Sequence, residues 1–67
     1  MRITYDKEAD AIYIYLIENE KISESKGEWP INLDLSKDGK LIGIEILQAS
    51  KVVDINNLKK IKFEKIG

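Results

Sequence analysis

Apolar and polar positions alternate most cleanly between Ile31 and Ser50, INLDLSKDGKLIGIEILQAS, and the pattern predicts a β-hairpin. Asp38-Gly39 supplies a turn, because Asp followed by Gly tolerates the positive φ angles of tight hairpin loops. A two-residue loop sets Leu35 opposite Ile42, Leu33 opposite Ile44 and Ile31 opposite Ile46. Every apolar residue of the first arm then meets a branched apolar partner. The other face pairs Ser36 with Leu41, Asp34 with Gly43 and Asn32 with Glu45. A three-residue loop shifts the pairing by one, setting Leu33 against Gly43 and Ile31 against Glu45, so the two-residue register is preferred.

Upstream, Met1 to Asp6 alternates with Ile3 and Tyr5 on one side. Asp6-Lys7-Glu8-Ala9-Asp10 interrupts it, with Asp6 placed to cap a single turn and Ala9 expected to point inward. Ala11 to Ile17, AIYIYLI, is the most strand-prone run. Ile12, Ile14 and Leu16 form one side of it, and Tyr13, Tyr15 and Ile17 the other. A sheet wet on one side alternates apolar with plainly polar residues, whereas both sides of this strand are substantially apolar. The tyrosines are therefore expected to be covered, by the C-terminal segment or by another chain. Lys21 to Lys26 suits a guarded edge strand, and Pro30 suits the first position of the next.

The chain is expected to leave the sheet at Gln48-Ala49-Ser50. Asp54 is a fitting N-cap for a short helix carrying Ile55 and Leu58 on one side. Ile61 and Phe63 then alternate as in a brief terminal strand, with residues 61–65 continuing the helix as the alternative. The predicted fold is mainly β (α+β): one domain over residues 1–67, with an antiparallel sheet of about five strands and a short C-terminal helix. Its core is expected to comprise Ile3, Tyr5, Ile12, Ile14, Leu16, Ile31, Leu33, Leu35, Ile42, Ile44 and Ile46.

Composition narrows the chemistry. A chain of 67 residues has a marginal core when alone, and small domains are usually reinforced by disulfides, metals or partner subunits. The absence of Cys and His removes disulfides, thiolate or imidazole catalysis and Cys/His zinc sites, and no cofactor is indicated. A second copy or a dedicated partner is then the economical source of further burial. The net charge of −1 argues against broad attraction to nucleic acid or an anionic membrane. The apolar runs are too short to span a bilayer and the first residues lack a signal-peptide core, so the expected location is cytoplasmic. Charge is segregated: residues 1–20 carry five acids against two bases, and residues 51–67 five bases against two acids.

Three groups of residues invite a chemical reading. Asp6, Glu8 and Asp10 are dense enough to consider as oxygen ligands for Mg²⁺ or Ca²⁺, although the spacing lacks the glycine and closing Glu of an EF-hand loop. Asp34 and Glu45 share a hairpin face and could divide a proton between them, but no nucleophile or cationic anchor accompanies them. A divalent-metal-dependent hydrolase built on these acids is the alternative function, and capping and solvation explain the same residues more simply. Tyr13, Tyr15 and Trp29 could stack nucleic-acid bases, yet basic neighbours are few. Aromatic residues are equally what protein interfaces enrich. The interface expected here comprises Tyr13, Tyr15, Ile17, Trp29, Leu41 and Leu47, probed first as a homodimer.

Two blocks, Tyr5-Asp6-Lys7-Glu8-Ala9-Asp10-Ala11-Ile12-Tyr13-Ile14 and Asp38-Gly39 followed by Gly43-Ile44-Glu45-Ile46-Leu47-Gln48-Ala49-Ser50, resemble the small prokaryotic family DUF2283. Ile12 stands where that family often has Leu, and Gln48 where an acid is common. The resemblance covers roughly residues 3 to 51 and implies a compact, mainly antiparallel β domain without an established activity. Members are sometimes encoded beside small toxin-like proteins, which implies an antitoxin-type partner role. The function expected is accordingly a non-enzymatic protein–protein interaction module.

Overall fold

A computed structural model describes residues 1–67. Five strands, β1 (Arg2–Asp6), β2 (Ala11–Tyr15), β3 (Glu24–Lys26), β4 (Ile31–Leu35) and β5 (Leu41–Leu47), form one antiparallel sheet ordered β1-β2-β5-β4-β3. A one-turn helix, α1 (Ala49–Val52), and a 3₁₀ helix (Ile55–Lys60) follow. The mainly β architecture with a short C-terminal helix is the one the periodicity predicts. Asp54 caps the 3₁₀ helix as expected, accepting from the Asn56 backbone N–H at 3.1 Å. α1 was not anticipated, and its lone buried residue is Ala49.

Strand register assigns the two faces. Ile3 lies opposite Ile14 and Tyr5 opposite Ile12; Ile12 and Ile14 lie opposite Ile46 and Ile44; Ile31 and Leu33 complete the rows from β4. Residues opposite one another share a face, so these eight side chains make a continuous aliphatic face across β1, β2, β5 and β4. The reverse, tyrosine face carries Tyr13, Tyr15, Asn32, Asp34, Gly43 and Glu45.

The hairpin turn differs from expectation. The Ser36 N–H donates to the Lys40 carbonyl and the Gly39 N–H to the Ser36 carbonyl, enclosing Lys37, Asp38 and Gly39 in a three-residue loop. Gly39 has φ +84, the positive angle that closes such a loop. The side chain of Ser36 also accepts from the Lys40 N–H at 3.0 Å and donates to Asp38 at 2.6 Å. A loop of this length alone would slip the register, but a β-bulge beside Asp34 and Leu35 restores it. Leu35 therefore faces Leu41, not Ile42, while Leu33–Ile44 and Ile31–Ile46 pair as predicted. The bulge sends Ile42 to the tyrosine face, where it is buried, and transfers Leu41 to the aliphatic face. The freed Ile42 carbonyl accepts from both Leu16 and Ile17, which ends β2 at Tyr15 rather than Ile17.

Other corrections follow from the sheet being a single layer. Of the eleven expected core residues only Ile12 and Ile42 are buried, joined by Ala49; Ile3 is 38% exposed. Ala9 is exposed and Asp10 turns inward instead. β3 shortens to three exposed residues, and residues 61–67 form neither strand nor helix. The chain exposes 5571 Å², against about 4,300 Å² for a compact monomer of its mass. Its radius of gyration, 12.9 Å, exceeds the roughly 11 Å of a compact domain of this length. No helix is long and apolar enough to cross a membrane.

Replacing Gly39 by Ala forces a Cβ into the left-handed region with no neighbouring atom to clash with. The expected cost is about 1 kcal/mol from backbone strain alone, read by denaturant unfolding, whereas Lys37→Ala in the same loop leaves the midpoint unchanged. Equal stability of the Gly39→Ala protein would contradict the positive φ at Gly39.

Candidate functional site

The tyrosine face is organised around Asp34, a carboxylate only 7% exposed. Its Oδ2 accepts from the Tyr13 hydroxyl at 2.5 Å, and its Oδ1 from the Ser25 hydroxyl at 2.5 Å and the Asn32 side-chain amide at 3.2 Å. Four residues from β2, β3 and β4 thus meet across β5. Gly43 makes this reach possible, since it sits between β2 and β4 in register and a Cβ there would fall on the Tyr13 ring. Burial first, then the bond to Asp34, pushes the Tyr13 phenol from 10.0 up to about 12, keeping it a neutral donor. Glu45 shares the face with Asp34, but Asp34's oxygens are engaged by these three donors and not by Glu45.

Beside this cluster, Tyr15 packs on Tyr13 with ring centroids 4.4 Å apart, and the Arg2 guanidinium lies 3.8 Å over the Tyr15 ring. Arg2 is held there by Glu18 at 2.8 Å, a bond that raises its pKa. The ring face that would stack a base is thereby occupied from within the chain. Of the expected interface residues, Tyr13, Tyr15 and Ile17 line a hollow of about 240 Å³ together with Ile22 and the buried Ile42. Trp29, 66% exposed, and Leu47 line a second hollow of about 380 Å³ around Gly27. Leu41 lies with neither group, having moved to the aliphatic face. Leu41 is thus the one separated from the rest, since Leu47 lies opposite Ala11 on the side that carries Tyr13 and Tyr15.

The acids near the start are divided among separate tasks. Asp6 accepts from the backbone N–H groups of Glu8 and Ala9 at 3.0 and 3.2 Å, closing the turn between β1 and β2. Glu8 is exposed. Asp10, at φ +51, accepts from the Tyr5 hydroxyl at 2.7 Å, the Ser50 N–H at 3.0 Å and the Ser50 hydroxyl at 2.7 Å. Its backbone carbonyl also accepts from the Ala49 N–H at 2.8 Å. This latch ties the β1–β2 turn to the start of α1 and lowers the Asp10 pKa, chiefly through Ser50 and next through Tyr5. No group of three or more acids converges as metal ligands would.

The Asp34 cluster and the Asp10 latch are bonded within the chain. The aliphatic face is different: Ile12 is buried, but Ile14, Ile31, Leu33, Ile44 and Ile46 are only part-buried and Ile3 is exposed. Sequence reading found these residues but assigned them to a closed core. It missed the Asp10–Ser50 and Tyr13–Asp34 contacts, which join residues 40 and 21 positions apart.

The sequence model of a family described as "Protein of unknown function (DUF2283)" matches residues 2–50. The chain belongs to this family. An uncharacterized protein of Methanocaldococcus jannaschii is 37% identical over 71 aligned residues, which cover 100% of this chain and 60% of the relative. The chain thus spans about three fifths of that relative's length. No solved structure matches the chain significantly. Tyr5, Asp10, Tyr13, Asp34, Gly43 and Ser50 all fall inside the matched segment.

Two outcomes test these assignments. Tyr13→Phe leaves a buried carboxylate one donor short, and the expected loss is about 1–3 kcal/mol by denaturant unfolding; Gly43→Ala should destabilise by displacing the same ring. Because the folded phenol ionises near 12, Tyr13's contribution is complete below pH 10 and fades as pH rises through the folded value. Ultraviolet titration should show a tyrosine ionising near 12 that is lost in Tyr13→Phe, while Tyr5, raised by its bond to Asp10, remains. Asp10 runs the other way. Its folded pKa lies below the ordinary 3.8, so its contribution is present above that pH and is lost as pH falls through the folded value. Asp10→Asn should flatten this acid-side slope; an unaltered slope would count against the latch.

Proposed function

We propose that this DUF2283 member is a non-enzymatic protein–protein interaction module that self-associates through its aliphatic face. One observation carries the reading: a four-strand apolar surface on which five aliphatic side chains are only part-buried and Ile3 is exposed, on a chain that exposes 5571 Å². That exceeds the compact-monomer expectation by roughly 1,200 Å². A standard interface buries about 800 Å² per partner, and the exposed tail, with Phe63 and Ile66 89% and 91% exposed, contributes to this excess together with the sheet. The polar face supports the reading in another way, because Tyr13 is committed to Asp34 and Arg2 to Glu18.

A second copy is the simplest cover. The face is flat, uncharged at its centre and built from rows of isoleucine, and two such faces related by a two-fold axis present the same patch to each other. A small toxin protein as partner would be the heteromeric form of the same reading, using the same face.

Sedimentation velocity tests it. At micromolar concentration a dimer is expected, and Ile44→Lys should shift the population to monomer while preserving the β-sheet circular dichroism. Losing this isoleucine from both copies removes about 3 kcal/mol or more of burial. A chain that is monomeric at tens of micromolar, with Ile44→Lys no less compact or stable than the parent, would overturn self-association; recovery of a small partner by the parent and not by Ile44→Lys would move the reading to the heteromeric form.

A further inference from the structure

The last seven residues are unaccounted for by the fold. Ile61, Phe63 and Ile66 are 56%, 89% and 91% exposed, and the segment is extended from Ile61 (φ −67, ψ 131) without pairing to any strand. Its sequence, IKFEKI, alternates over its first four residues, with Ile61 and Phe63 on one side and Lys62 and Glu64 on the other; Lys65 then follows on the first side and Ile66 on the second. It also lies beyond the part of the chain that the family model matches. Exposed apolar alternation of this kind marks a strand without a sheet.

The sheet has two free edges, β1 and β3. β3 is three residues long, Glu24-Ser25-Lys26, and fully exposed, a short charged edge that discourages pairing. β1 offers five residues and ends the aliphatic face with Ile3, itself 38% exposed. Six extended residues span about 20 Å, against about 17 Å for β1. A strand laid there with Ile61 and Phe63 on the aliphatic side continues the rows of isoleucine and covers Ile3. Charge agrees with this: residues 51–67 carry five bases against two acids, and residues 1–20 five acids against two bases.

Resting on the self-association reading above, we propose that the segment Ile61–Ile66 of each copy adds as a sixth strand to the outer edge of β1 in the other copy. Main-chain bonds supply the pairing and Ile61 and Phe63 supply the burial, the mode by which an extended segment completes an exposed sheet edge. The segment stands off its own sheet, leaving a second copy as the occupant that carries the matching edge.

The chain has no cysteine, so engineered thiols report the contact cleanly. Paired strands hold facing Cα atoms about 4.5–5.5 Å apart, within disulfide reach. One full-length chain carries Ile3→Cys; a second, distinguishable by a tag, carries Ile61→Cys or Phe63→Cys. Mixing under mild oxidation should give the mixed disulfide with at least one of the tail positions, and Phe63→Asp should weaken dimerisation about tenfold or more by sedimentation. A dimer by sedimentation that yields no mixed disulfide and tolerates Phe63→Asp overturns this inference while leaving self-association intact. Monomers without bridges overturn both. A chain carrying both thiols that bridges only within itself assigns the strand to its own β1 and overturns the exchange.

Discussion

The bond from Tyr13 to Asp34, made over the bare backbone of Gly43, decides how this small sheet is arranged. A carboxylate 7% exposed persists in a protein only when donors surround it. Here the donors come from the neighbouring strands and include a tyrosine two strands away. That single constraint makes the tyrosine face self-sufficient. The rings that looked as though they needed an external cover are held by the chain's own polar groups and by Arg2.

Once that face is closed, the unmet burial moves to the other side. Rows of isoleucine from four strands lie side by side, most of them only part-shielded, with Ile12 the one that is buried. A single-layer sheet can bury the edges of its side chains against one another, but complete removal from water needs a second layer. The marginal core expected for a chain of this length is therefore visible as a surface. The same geometry that limits the monomer defines where a partner would fit.

The Asp10 latch performs a different task. By accepting from Tyr5 and Ser50 it joins the two blocks of sequence that carry the family resemblance, separated by some forty residues along the chain (|i−j| of 40 for the Ser50 bonds). These polar residues look like chemistry in a linear reading. In three dimensions they fix where the chain leaves the sheet, and their acids act as hydrogen-bond acceptors rather than as ligands or bases.

Local pattern alone determined the strands, their antiparallel order within the hairpin, the partners Leu33–Ile44 and Ile31–Ile46, and the capping roles of Asp6 and Asp54. Each depends on side-chain alternation or on bonds between residues a few positions apart, which a sequence displays directly. The loop length at Gly39, the compensating bulge and the transfer of Ile42 to the opposite face depended on how β4, β5 and β2 bond together. So did the bonds from Tyr13 to Asp34 and from Ser50 to Asp10, whose partners are distant in the chain. Whether the isoleucines are core or surface was likewise a tertiary matter, because alternation says which residues share a side and cannot say whether anything lies on top of it.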